Sequence, residues 1–156
     1  MKLVTLALIT CVSAGPVYAA DEDNTPPNQL RQMAECQAVD MSLMQMYNSL
    51  AAAIDVLSPN GPASLHMLRD SYRTLAQVEE AKVREMIALT RNALLPNMDP
   101  AVSDHYVEEV GKLVAGIQKA LNLAPYDKQR QVQGQLLTTA SECETFTQHL
   151  TGNTTY

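Results

Sequence analysis

Tryptophan is absent from these 156 residues, and phenylalanine occurs once, as Phe146. So poor an aromatic inventory suits aliphatic helix packing better than a β-sandwich, whose pleated surfaces favour aromatic and β-branched side chains. No apolar run approaches the roughly 20 residues needed to span a bilayer, so stable membrane insertion is not expected. Basic residues are scarce, 11 against 17 acidic, for a net charge of −6. That balance argues against nucleic acid and anionic membrane surfaces, both of which attract basic proteins. Catalytic and cofactor signatures are missing as well. There is no strand-borne glycine-rich loop and no Gly-x-Ser-x-Gly elbow. Cys-x-x-Cys-His is absent, which excludes covalent haem attachment. None of His66, His105 and His149 has a Glu three residues before it, so the paired Glu-x-x-His set of a di-iron bundle cannot be built. No enzyme activity and no cofactor are expected.

What is present begins at the N-terminus. Lys2 precedes an apolar stretch from Leu3 to Gly15, and Val17 and Ala19 occupy the small-residue positions of a cut after Ala19. These are the parts of a secretory signal peptide, residues 1–19. A lipoprotein reading of Leu8-Ile9-Thr10-Cys11 is disfavoured, because its apolar stretch is very short and continues past Cys11. Removing 19 residues from 156 leaves 137, enough for one domain with its own core. The loss of Lys2 takes the charge from −6 to −7. Cys11 leaves with the signal, and the remaining pair, Cys36 and Cys143, is read first as a disulfide in an exported domain.

Residues 20–27 are acidic and end in proline, a composition expected of a disordered leader. Beyond them, four helical patterns fill residues 28–150. The first, from Asn28 as N-cap to Leu57, carries Met33, Cys36, Asp40, Leu43, Tyr47, Leu50, Ile54 and Leu57 at steps of three and four. Ser58-Pro59-Asn60-Gly61-Pro62 breaks it. The second, from Ser64 as N-cap to Leu95, aligns Leu65, Leu68, Tyr72, Leu75, Val83, Met86 and Leu94. Asp99-Pro100 opens the third, with Val102, Tyr106, Val110, Leu113, Ile117 and Ala120 on one stripe. After Ala124-Pro125 the fourth carries Val132, Leu136, Ala140, Cys143, Phe146 and Leu150, and residues 151–156 read as a frayed, flexible tail. Short connections make an up-down-up-down four-helix bundle the expected all-α architecture. Cys36 lies 8 residues after Asn28 and Cys143 lies 7 before Leu150. At about 1.5 Å per residue both thiols sit roughly 11 Å from the same end of the bundle, level with each other, so the disulfide joins helices one and four. The Asn153-Thr154-Thr155 triplet fits a glycosylation acceptor only in a eukaryotic secretory pathway.

Three constellations could carry chemistry. Met41, Met44 and Met46, with His66 and Met67, suggest a thioether copper site. On one helix Met46 projects about 200° from Met44, so the three sulfurs cannot converge, and methionine is a common core filler. Met33 and His149 could meet at adjoining helix ends as non-covalent haem ligands, but an exposed histidine is the blander account. The third is a polar layer. Asp40 interrupts the seam of helix one and Glu79 that of helix two, 20 residues before and 19 after the turn near residue 60 and so level, with Lys82 one turn on. The same counting puts Gly116 and Thr139 at that height. Buried charges must be paired, so an Asp40–Lys82 salt bridge that sets helix register is the expected reading, and a small ligand site the competing one.

By elimination, the chain reads as a non-enzymatic exported interaction protein, periplasmic or secreted, that meets a protein partner through its helix faces. An inhibitor, an immunity protein or a secretion or envelope accessory factor would fit. Expected charges are −3 in the leader, −2 in helices one and three, −1 in helix four and +1 in helix two, which points to a basic partner. The alternative is a bundle that carries haem, a metal ion or a small apolar molecule.

Overall fold

The computed structural model describes residues 26–95, 99–123 and 125–153. The expected signal peptide with its cleavage site and Cys11, the leader as far as Thr25, and residues 154–156 lie outside them. So does the acceptor triplet, apart from the backbone of Asn153. Four helices form the bundle: α1 (Pro26–Leu57), α2 (Ala63–Leu89), α3 (Pro100–Leu123) and α4 (Tyr126–Asn153). Five residues of π-helix, Thr90–Leu94, prolong α2.

The boundaries follow local chemistry. α1 opens at Pro26, two residues before the expected cap, because proline tolerates the first turn where its missing N–H is unneeded. It stops at Leu57 and the chain turns on Gly61, whose N–H donates to the Ser58 carbonyl at 3.0 Å. A Cβ on Gly61 would lie only 3.0 Å from that of Ser58 and 3.1 Å from its carbonyl oxygen, so any larger residue would crowd this close turn. α2 starts at Ala63, one residue before Ser64, with Pro62 at the N-cap position and no side-chain cap. Asp99 caps α3 as its position before Pro100 suggests, accepting from the Ala101 N–H at 3.0 Å. At the far end, the expected frayed tail is helical as far as Asn153. Thr151 helps to hold it there by donating to the Thr147 carbonyl at 3.1 Å.

The helices alternate in direction, but they are not four equivalent staves. α1 packs against each of the other three, most extensively against α2, whereas α2 and α4 close onto α1 rather than onto each other. Its burial is correspondingly all-round: Met33, Ala34, Cys36, Gln37, Ala38, Val39, Asp40, Ser42 and Leu43 are all buried. A helix apolar on every side belongs in the middle, and between Cys36 and Ile54 Asp40 is the single charged residue. The core has two clusters. Near the disulfide, Met33, Cys36, Val83, Met86, Tyr106, Val110 and Cys143 pack together. Further up, Val39, Leu43, Tyr47, Ala76, Leu136 and Ala140 form the second.

The Cys36–Cys143 disulfide joins α1 to α4 across a Cα–Cα distance of 5.4 Å and encloses a separation of 107 residues. In the chain-entropy model a loop of that length contributes about 4–5 kcal/mol, by restricting the unfolded chain. A second long-range clamp is polar. The Tyr106 hydroxyl donates to Gln37 Oε1 at 2.9 Å and lies 3.4 Å from Thr90 Oγ1, which itself donates to the Met86 carbonyl. This buried chain ties α3 to α1 and to the π-turn, where the Leu95 N–H reaches back five residues to the Thr90 carbonyl.

Several residues expected on the apolar seams are exposed: Leu50, Leu57, Leu68, Leu75 and Val102. For the first three the reason is length. α1 and α2 run on past the end of α3 and the start of α4, and the hairpin tip has nothing to pack against.

Candidate functional site

The polar layer forms, with a pairing different from the expected salt bridge. Asp40 and Glu79 are 3 % and 7 % exposed, and they face each other across the α1–α2 contact. Lys82 closes on Glu79, Nζ to Oε1 3.5 Å, rather than on Asp40. The two are one turn apart on α2 (i, i+3), so this ion pair is met within a single helix. Asp40 therefore has a carboxyl group as its nearest polar neighbour. Burial, then the Glu79 charge, push its pKa from 3.8 to about 7; Lys82 pulls it down, while the hydrogen bond with Glu79 and the charge of Glu144 push it up again. Two carboxyl groups this close are held together best by a shared proton, as in other like-charge pairs. Asp40 Oδ1 and Glu79 Oε2 are buried and have no hydrogen-bond partner.

Asp40 also lines a cleft of about 170 Å³ that lies between α2 and α4, where those helices stand apart over α1. Lys82, Glu85 and Met86 form its α2 side. Ala140, Cys143, Glu144, Thr147, Gln148 and Thr151 form its α4 side. The floor is thus acidic, both sides mix apolar and polar groups, the α4 side is backed by the disulfide, and the rim carries the exposed carboxylates Glu85 and Glu144. Gly116 and Thr139, counted to the same height, are not among the lining residues; a Cβ added to Gly116 would meet nothing within 4 Å. Simple counting assumes a square bundle, whereas here α3 packs on α1 and α4 without lining the cleft. Glu144, Gln148 and Thr151, spaced i, i+4 and i+7, share one face of α4. That spacing was readable, but nothing in the sequence said that the face opposes α2.

The other constellations disperse. Met41 packs against the first core cluster and Met44 and Met46 against the second, as core filling. Met33 is fully buried, while His149 is exposed. Among the described residues no group of three or more His, Cys, Asp or Glu is placed to hold a metal ion. None of the described helices is long and apolar enough to cross a membrane.

The second surface feature is apolar. At the α1–α2 hairpin tip, Leu50, Ala53, Ile54 and Leu57 of α1 and Leu65, Leu68 and Tyr72 of α2 line an open groove of about 280 Å³, with Ser58 of the connecting turn. Tyr72 stacks on Tyr47, ring centroids 6.2 Å apart, and packs against the second core cluster together with Leu121 and Val132. The groove therefore continues an interior surface that α3 and α4 cover lower down. One side is braced by a charge network: Asp55 accepts from Arg69 at 3.1 Å and from Arg73 at 2.7 Å, and Asp70 accepts from Arg69 at 2.8 Å. No protein-family model, curated protein or solved structure matches this chain.

Proposed function

We propose that this is a non-enzymatic exported interaction protein whose working surface is the tip of the α1–α2 hairpin. The observation that carries the reading is the uncovered groove around Leu50, Leu57, Leu65 and Leu68, with Leu57 81 % exposed. Single exposed apolar residues such as Leu75 and Val102 are scattered elsewhere, but a contiguous apolar groove fits a binding surface better than chance exposure. Its occupant is a short amphipathic helix of a protein partner. A groove between two antiparallel helices takes a third helix as α3 and α4 are taken lower down, with anchors at i, i+3 and i+4. From Leu50 to Leu57 the groove runs about 10 Å, roughly two turns of such a helix. The acidic balance of the whole chain favours a partner of basic surroundings. Export rests on the N-terminal pattern and agrees with a disulfide that reducing compartments would not maintain.

Site-specific photo-cross-linking in intact cells tests this reading. A benzoylphenylalanine at position 57 or 68 should give a discrete adduct, lost when Leu65→Glu is added, and none should form from position 112 or 130 on α3 and α4. Equal adducts from all four positions would defeat the proposal. Export is tested separately: the mature chain should begin at Ala20.

A further inference from the structure

We infer that the cleft between α2 and α4 is a binding site for a small aliphatic ammonium ion, seated on Asp40. Three observations converge. Asp40 is almost wholly buried and lines the cleft, yet its Oδ1 has no hydrogen-bond partner. A buried carboxylate oxygen left without a donor is costly, and an entering N–H group relieves that cost. The charge around it is unbalanced: Asp40, Glu79, Glu85 and Glu144 stand against Lys82 alone, and Lys82 is already engaged by Glu79. Finally, Met86 on the α2 side and Ala140 with the Cys143 side of the disulfide on the α4 side supply apolar contacts on both sides of the cleft.

These features select the ligand class. An anion is excluded by the surplus of carboxylates. A metal ion wants three or more ligating groups, and the described residues provide no such set. A bare cation would also leave Met86 and Ala140 unused. An alkylammonium ion uses both halves, with its N–H donors on Asp40 and its carbon chain along Met86 and Ala140. A diamine could add a second contact at the rim, where Glu85 and Glu144 are exposed. The cleft lies about 14 residues of α1, roughly 21 Å, from the centre of the tip groove, so this site stands or falls independently of the proposed docking surface.

Calorimetric titration of the disulfide-intact protein with butylammonium and 1,4-diaminobutane at pH 8 tests the inference. Saturable one-to-one binding is expected, with butanol and butyrate failing to bind. Asp40→Asn should weaken the amine at least about tenfold, the scale of one charge-assisted hydrogen bond. Glu144→Gln should weaken the diamine more than the monoamine, and Glu108→Gln, on the exposed face of α3, should change nothing. Amide shifts on titration should cluster at residues 40, 82–86 and 140–148 and spare 50–72. Binding that survives Asp40→Asn, equal binding of butanol, or no saturable binding of either amine would overturn it, the last leaving Oδ1 to water.

Discussion

Replacing Asp40 by Asn should stabilise the protein at alkaline pH, although it removes a charged residue from a layer that an Asp40–Lys82 salt bridge would make essential. In the fold, burial and the neighbouring Glu79 raise the Asp40 pKa from 3.8 to about 7. Between those two values the folded protein holds a proton that the unfolded chain has released. Stability therefore falls as pH rises through this window, and the penalty is complete above about pH 7. A rise of about 3 pKa units at about 1.4 kcal/mol each corresponds to about 4 kcal/mol. Water entering the cleft beside Asp40 screens part of that, so the expected gain in Asp40→Asn at pH 8 is about 2–4 kcal/mol. The asparagine amide can still donate to Glu79, which stays paired with Lys82. Urea unfolding at pH 4, 6 and 8 reads the effect: at a slope of about 2 kcal/mol per molar, the midpoint should move up by about 1–2 M at pH 8. At pH 4, where Asp40 is protonated in the fold, the two proteins should nearly coincide. Every other group titrates in both, so only the difference between the curves matters. Parallel curves from pH 4 to 8, or a variant less stable than the parent at pH 8, would refute the shared-proton account and restore a stabilising ion pair.

Three further outcomes follow from the packing. Cys36→Ala with Cys143→Ala should cost about 2–5 kcal/mol by denaturant titration, and non-reducing peptide mapping of the parent should find these two residues cross-linked, with neither thiol alkylatable. Tyr106→Phe should cost about 1–3 kcal/mol, because the Gln37 carbonyl then loses its donor inside the core; a change below about 0.5 kcal/mol would mean that water replaces the hydroxyl. Leu57→Ser, at a site 81 % exposed, should leave the urea midpoint nearly unchanged, and a marked loss would show that the tip is covered in the free protein.

Much of this molecule follows from local sequence. Pro59-Asn60-Gly61-Pro62 and Asp99-Pro100 had to be boundaries, since proline lacks the N–H that a continuing helix needs and Gly61 sits where a Cβ would be crowded. The disulfide was equally legible, because helical rise converts residue counts into heights and Cys36 and Cys143 come out level. Asp40 and Glu79 could be matched by the same arithmetic. Heights, however, leave rotation and neighbourhood open. Whether Lys82 turns to Asp40 or to Glu79 depends on which rotamer the packed surface of α1 leaves free, and that is a tertiary matter. Which helix stands opposite the layer is another. Period-3.6 stripes say that each helix buries a face but not against which partner, so a square bundle, with Gly116 and Thr139 across from Asp40, satisfies the pattern as well as one with α1 at its centre. Only the assembled structure puts α1 inside, parts α2 from α4 to open a cleft over Asp40, and leaves Leu57 and Leu68 bare at a hairpin longer than the helices beside it. The physical reason is that hydrophobic burial is non-directional: it rewards covering α1 without specifying from which side, and side-chain packing and polar contacts such as Tyr106 to Gln37 then select one arrangement.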